Sequence, residues 1–271
     1  MKTWWKLQPL LKWPGGKSRM AKRLIKGFPQ HENYVEPFVG GGAVFFAKPL
    51  APGKNVIGDF DRWVTDFYAD VRRGALRKCD EGFVKSRSLF KRSQKNKSAC
   101  HKVALSSLSF HGGRKTYIAE NTTAKAGTVM YQNRLLRHKD YQKKLRKSYV
   151  INRGFEKTMK KFDSTKTLHF LDPPWPVEYS EHFYKGGRIH KLSEAYKKYK
   201  GTAFDPFHVA KVSKSMKGHV VVIINDAPIV RKAFCKDKAA FKCKKIGVAT
   251  NTGHGFANRP NLLITKKARR R

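Results

Sequence analysis

Negative charge is scarce in this chain: only 19 Asp and Glu stand against 59 Lys and Arg in 271 residues, a formal net charge of +40. So large an imbalance makes the folded state repel itself unless a polyanion neutralises it, and nucleic acid is the obvious polyanion. A surface that has drifted basic for solubility is the alternative, so charge names a class of partner and no chemistry. Paired cysteines are lacking too. Cys79, Cys100, Cys235 and Cys243 form no Cys-x-x-Cys pair and have no His at zinc-finger spacing, which speaks against a structural metal or a disulfide framework and predicts ordinary thiols in a reducing compartment. No stretch approaches the roughly 20 apolar residues of a membrane span. The start, Met1-Lys2-Thr3-Trp4-Trp5-Lys6, has no apolar core of signal-peptide length. The expectation is a cytosolic protein without membrane contact, large enough for one domain with an insertion or for two small domains.

What is present has an α/β rhythm. Ser18 is a plausible cap for a helix with Met20, Leu24 and Ile25 on one stripe. Tyr34 to Val39 reads as a strand, Gly40-Gly41-Gly42 as a turn, and Ala43 to Ala47 as an apolar helix. Val56 to Asp59 is a second strand, and Trp63, Phe67 and Val71 recur along a following helix. From about Phe83 to Lys147 Lys and Arg dominate, Glu120 and Asp140 are the only acids, and strand-like runs vanish, as in an inserted module. The rhythm returns with Tyr149 to Ile151, Thr167 to Leu171, His219 to Ile224 and Asn261 to Thr265, each an apolar run suited to a buried parallel or mixed sheet. This predicts a sheet domain in two parts, residues 1–75 and 148–265, split by a mostly helical basic module at 76–147 and followed by a basic tail at 266–271.

Three motifs carry chemistry. The glycines between strand and helix let a ligand approach the main chain, and Asp59 at the end of the second strand suits ribose hydroxyls, although Gly-x-Gly-x-x-Gly spacing is absent. An adenosine-bearing cofactor fits both, and a tight turn with a solvated acid is the plainer alternative. Lys12-Trp13-Pro14-Gly15-Gly16-Lys17 is a rigid turn offering a ring and cations. It is not a phosphate-binding loop, which needs glycine where Leu11 stands. Asp172-Pro173-Pro174-Trp175 leaves an apolar strand with an acceptor, carbonyls freed of neighbouring N–H groups, and a ring able to stack, a site for an amino group on a flat ring. It also fits an ordinary strand exit. His254, between glycines, reads as a solvated loop residue, and Asn225-Asp226 as strand-end turn chemistry.

In this order the motifs resemble the Dam-like, alpha-group family of adenine-N6 DNA methyltransferases, and the resemblance spans most of the chain outside the insertion. It implies a Rossmann-like S-adenosylmethionine-dependent fold, with the insertion as target-recognition domain. Trp13, Lys17, Glu36, Pro37, Phe38, Gly40, Gly42, Asp59, Phe155 and Asp172 would bind S-adenosylmethionine, and Asp172, Pro173, Pro174 and Trp175 would hold a flipped adenine without a metal. The partner implied is double-stranded DNA, bound with strong salt dependence and with no obligatory protein partner. The setting is a bacterial cytoplasm or the host cell of a phage or virus, alone or in restriction-modification. Three departures stand out. Gly154 occupies the place of an acid expected after the third strand, with Glu156 as a candidate substitute. Trp175 replaces the commoner Tyr, and Ser107 to Arg114 lacks the Asn-x-x-Gly-x-Phe-Asn stretch. Methylation of cytosine N4 or of RNA, and a catalytically silent nucleic-acid-binding homologue, are the alternatives. The order of glycines before Asp-Pro-Pro-Trp disfavours the messenger-RNA enzymes.

Overall fold

The structure is a computed structural model that describes residues 7–13, 15–79, 87–109, 114, 115, 117, 133–174, 205–247 and 260–269. Pro14, Phe110 to Gly113, Trp175 and His254 lie outside the described residues. The strands β1 (Asn33–Glu36), β2 (Asn55–Asp59), β3 (Tyr149–Asn152), β4 (Thr167–Leu171), β5 (His219–Asn225), β6 (Lys242–Ile246) and β7 (Asn261–Lys266) form a mixed sheet in the order β3-β2-β1-β4-β5-β7-β6. β1 stops at Glu36 because Pro37 has no N–H to continue the ladder. The chain divides into two units, Met1–Phe28 with Val39–Asn152 and Pro29–Phe38 with Arg153–Arg271.

In the first unit β2 and β3 run parallel, Val56 opposite Tyr149 and Asp59 opposite Asn152. β2 is buried, but β3 is not the buried strand its apolar run predicts. It ends the strand order with a single neighbour, and Tyr149 is 50% exposed. Helix α1 (Ala21–Lys26) starts after Met20 without a side-chain cap, so Ser18 does not cap it. The Lys17 carbonyl takes that place, accepting from the N–H groups of Met20 and Ala21 at 2.9 and 2.7 Å. Helix α2 (Ala43–Ala47) follows the glycines. Helix α3 (Arg62–Arg73) is capped by Asp61, which accepts the Trp63 N–H at 2.9 Å, and ends at Gly74 with φ 97°. Its buried stripe is Val64, Phe67, Tyr68 and Val71, with Trp63 only half-buried.

Residues 76–147 contribute α4 (Arg87–Lys95), α5 (Ala99–Leu108) and α6 (His138–Arg146). α5 is buried nearly all round and takes Ser98 as its cap. Several cations here face inward, each ammonium satisfying main-chain carbonyls. Lys144 donates to Phe46 at 3.2 Å and also to Lys48, at the end of α2, and Lys102 donates to Trp63 at 3.1 Å. The cysteines correct the expectation of thiols. Cys79 bonds Cys100 across 21 residues and Cys235 bonds Cys243 across eight, with Cα separations of 5.4 and 5.8 Å. Neither pairing has a local sequence signature, because separate elements bring the partners together.

In the second unit β1, β4 and β5 are parallel, with Val35 opposite His169 and Leu171 opposite Val222. β7 is antiparallel to β5, and β6 to β7. One face of this sheet, including Leu171, Val220, Val222, Ile224, Leu262 and Ile264, packs against α7 (Phe155–Lys161) through Phe155 and Met159 and against α8 (Pro206–Ser215) through Val209, Ala210 and Val212. β6 is a strand that the apolar runs do not predict. Its sequence is Lys-Cys-Lys-Lys-Ile, and lysines on an outer strand guard against pairing with another chain while hiding the strand from an apolar-run search. Among the described residues no helix is long and apolar enough to cross a membrane.

Asp163, between α7 and β4, fastens three segments. It accepts His169 Nε2 at 3.0 Å and the N–H groups of Lys217 and Gly218 at 2.7 and 3.0 Å. Burial pushes its pKa up, but the hydrogen bonds from His169 and the two backbone groups outweigh that and bring it down to about 2. Burial also depresses His169, so the ring donates as a neutral imidazole. A depressed acid stabilises the fold above its unfolded pKa and loses that contribution as pH falls through the folded one. Asp163→Asn is therefore expected to cost about 2 kcal/mol at neutral pH, with the gap to wild type closing as pH falls from about 4 to about 2 in urea titrations.

Candidate active site

The first unit builds a rigid glycine turn. Gly40 and Gly42 have φ of 44° and 73°, which L-residues seldom adopt. The space a Cβ would need is already filled: at Gly40 it would lie 2.8 Å from Trp13 Nε1, at Gly41 2.5 Å from the Leu11 carbonyl, and at Gly42 2.6 Å from the Phe46 ring. The glycines are thus required by the chain's own packing. Asp59 holds the turn from below, one carboxylate oxygen accepting the Gly40 N–H at 3.0 Å and the other the Asp61 N–H at 2.9 Å. Tyr68 donates to the Gly40 carbonyl at 2.8 Å. Burial raises the Asp59 pKa to about 6 against the pull of those backbone bonds.

Trp13 lies over this turn. The guanidinium of Arg114 sits 5.3 Å from its ring centroid and 4.3 Å from that of Trp63, and 3.3 Å from the Asp61 carboxylate. Lys17 is buried and folds back to donate to the Gly15 carbonyl at 2.8 Å. Lys12 donates through Nζ to the Ser109 carbonyl at 3.3 Å. Its pKa is lowered by burial and then by Arg134, itself fully buried, lowered by burial to about 10 and bonded to Ser107 Oγ at 2.9 Å. Of these groups Tyr68, Arg114 and Arg134 carry no signal of their own in the sequence. Each meets its partner across 27 to 53 residues.

The second unit contributes a sheet edge. Because β1 and β4 are parallel neighbours, Glu36-Pro37-Phe38 and Asp172-Pro173-Pro174 leave the sheet at the same carboxyl edge. Glu36 is buried and accepts the Tyr34 hydroxyl at 2.6 Å. Phe38 stacks on Phe155 with centroids 5.3 Å apart, and Phe155 meets His208 edge-on at 5.4 Å. Glu156 points to Lys160 at 2.7 Å and His208 at 3.1 Å, and Lys160 foremost holds its carboxyl below the usual range. Gly154 is the N-cap of α7, and among the described residues no atom lies within 4 Å of where a Cβ would stand, so they leave room there for a side chain.

Residues 13–246 match the sequence profile of the D12 class N6 adenine-specific DNA methyltransferases. The chain is 40% identical over 67 residues to the type II methyltransferase M1.LlaDCHI of Lactococcus lactis subsp. cremoris, covering 24% of this chain and 23% of that protein. It is 54% identical over 41 residues to the DNA adenine methylase of Haemophilus influenzae, 15% and 14% of the two chains. It is 33% identical over 66 residues to the DNA N-6-adenine-methyltransferase of Escherichia phage P1, 24% and 8%. The matched stretches thus span less than a quarter of these relatives.

The packing around the glycines is testable by one methyl group. Gly41→Ala sets a Cβ against the Leu11 carbonyl and is expected to cost about 1 to 3 kcal/mol, whereas Gly154→Ala is expected to stay within about 0.5 kcal/mol of wild type. Chemical denaturation of the two variants side by side makes the comparison, and equal costs would contradict the packing described.

Proposed function

The chain belongs to the D12 class of N6 adenine-specific DNA methyltransferases, and on that footing we propose that it methylates N6 of an adenine swung out of double-stranded DNA. The observation that carries this reading is the carboxyl edge of β1 and β4, where an acid and two prolines leave the sheet beside a buried glutamate. Adenine N6 is a poor nucleophile because its lone pair is delocalised into the ring. Asp172 and the Pro173 carbonyl would accept its two hydrogens, turn the lone pair out of the plane and hold it for in-line attack. Extrusion of the base precedes this, since the amino group is buried in the duplex. Trp175 would stack on the extruded ring.

S-adenosylmethionine would supply the electrophilic methyl group on its sulfonium. The residues present suit it: carboxylates at Glu36 and Asp59 for hydroxyl groups and positive charge, and the Phe38 and Phe155 pair for a flat ring. Trp13, Lys17, Gly40 and Gly42 complete the proposed set, with Pro37 shaping the exit from β1. Residues 76–147 would serve as the target-recognition module. Arg87, Lys91, Arg92 and Lys95 are exposed along α4, a helix without an acid, and would meet phosphates. The reading places the protein in the cytoplasm, where its DNA lies.

Transfer of tritium from labelled S-adenosylmethionine to unmethylated DNA tests the activity. Asp172→Ala is expected to lower the rate roughly 100-fold or more, and a folded wild-type protein that binds DNA yet transfers nothing would contradict the proposal. A pH series tests Asp59. Its pKa of about 6 means that the ionised form, which accepts hydroxyls, gains over that range, so cofactor affinity should rise about tenfold from pH 5 to 7. Stability of the free protein moves the other way. An acid with a raised folded pKa stabilises at low pH and loses that contribution as pH rises through about 6. Asp59→Asn should flatten both curves, and an unchanged affinity profile would remove Asp59 from the cofactor site.

A further inference from the structure

Asn225 closes β5, a strand otherwise composed of aliphatic residues after His219. It is 1% exposed, and among the described residues neither its Oδ1 nor its Nδ2 has a hydrogen-bond partner. Leaving both ends of a buried amide unsatisfied is costly, and an apolar side chain of similar shape avoids that cost. Turn formation does not explain it. The exit from β5 is held by the next residue, whose N–H donates to the Pro260 carbonyl at 2.9 Å and whose carboxylate meets Arg231 at 2.5 and 2.6 Å.

Its position is informative. Leu171 of β4 lies opposite Val222 of β5, and carrying that register onward sets Asp172 level with Ile223 and Pro174 level with Asn225. Asp172 precedes a proline and is held extended, so strand alternation continues across it. Val220, Val222 and Ile224 face the core shared with α7 and α8. Asn225 therefore lies on the opposite face, the one that Asp172 shares, one alternation further along the same edge.

We infer that Asn225 contacts the target base, its Nδ2 donating to a ring nitrogen that flanks N6 of the bound adenine. This rests on the reading of Asp172 to Pro174 as the grip on that base. With both amino hydrogens accepted by Asp172 and the Pro173 carbonyl, the base still presents N1 and N7 on either side of the amino group, both acceptors. An amide N–H is the complementary donor. Fixing a ring nitrogen stops rotation of the base in its own plane and keeps the amino lone pair on the line of attack, so the effect falls on kcat more than on KM.

The test combines Asn225→Leu and Asn225→Ala with oligonucleotides whose target base is adenine, 1-deazaadenine or 7-deazaadenine, in the sequence context found methylated by the wild type. Asn225→Leu is expected to lower kcat/KM on adenine roughly 10- to 100-fold while melting no lower than wild type. Wild type is expected to lose a similar factor on one deaza base, a loss that the Leu variant does not repeat. Equal rates for wild type and the Leu variant, a full deaza loss in both, or lower melting temperatures for both variants would each overturn the contact, the last by assigning Asn225 to the fold. A wild type that methylates no DNA fails earlier, at the reading of Asp172 to Pro174 itself, so the two failures are distinguishable.

Discussion

The parallel register of β1, β4 and β5 is the constraint on which the candidate site rests. Strands that run the same way must return through crossover connections, so all three carboxyl ends fall on one edge and whatever leaves them converges there. Val35 opposite His169 and Leu171 opposite Val222 fix that alignment to the residue. It brings Glu36 to Phe38, Asp172 to Pro174 and Asn225 to a common edge although they are far apart in sequence. A slip of one residue would turn Asp172 to the face now occupied by Leu171, the apolar core.

The cations of the chain fall into exposed and inward-facing sets, and composition alone does not separate them. The cations of α4 are exposed on a helix that itself carries no acid, which suits the phosphate contacts proposed for it. Others are structural. Lys144, Lys102 and Lys266 turn inward and satisfy carbonyls at the ends of helices and strands, Lys266 reaching Met216 at 2.7 Å and Gly218 at 3.1 Å. Burial depresses the pKa of Lys102 and of Lys266, and each ammonium is turned to the main chain rather than to solvent. The net charge therefore overstates what remains for a polyanion.

Most strands are legible in the sequence because buried strands are apolar runs bounded by glycine, proline or acid, as Val56 to Asp59 and Thr167 to Leu171 are. β6 is not legible, since an outer strand of lysines has no such run, and the edge position of β3 depends on neighbours that its own residues do not encode. The cysteine pairings and the clasp of Arg114 between Trp13 and Trp63 arise only when distant segments meet. Ser18 fails as a cap because the helix starts two residues later than its stripe implies. The glycine motif marks the turn correctly, but its steric cause lies in Trp13, Leu11 and Phe46. Asn225 reads as turn chemistry because local sequence cannot reveal that its amide is buried with neither end satisfied among the described residues.

The edge formed by β1, β4 and β5 is proposed to grip an extruded adenine for methylation of its amino group. Sequencing modified bases in the DNA of cells that express the protein, beside cells expressing Asp172→Ala, tests it most directly. N6-methyladenine is expected in a defined sequence context with wild type and is expected to be absent with the variant. Methyl groups on cytosine N4, or no modified base with a folded and DNA-bound wild type, would contradict it.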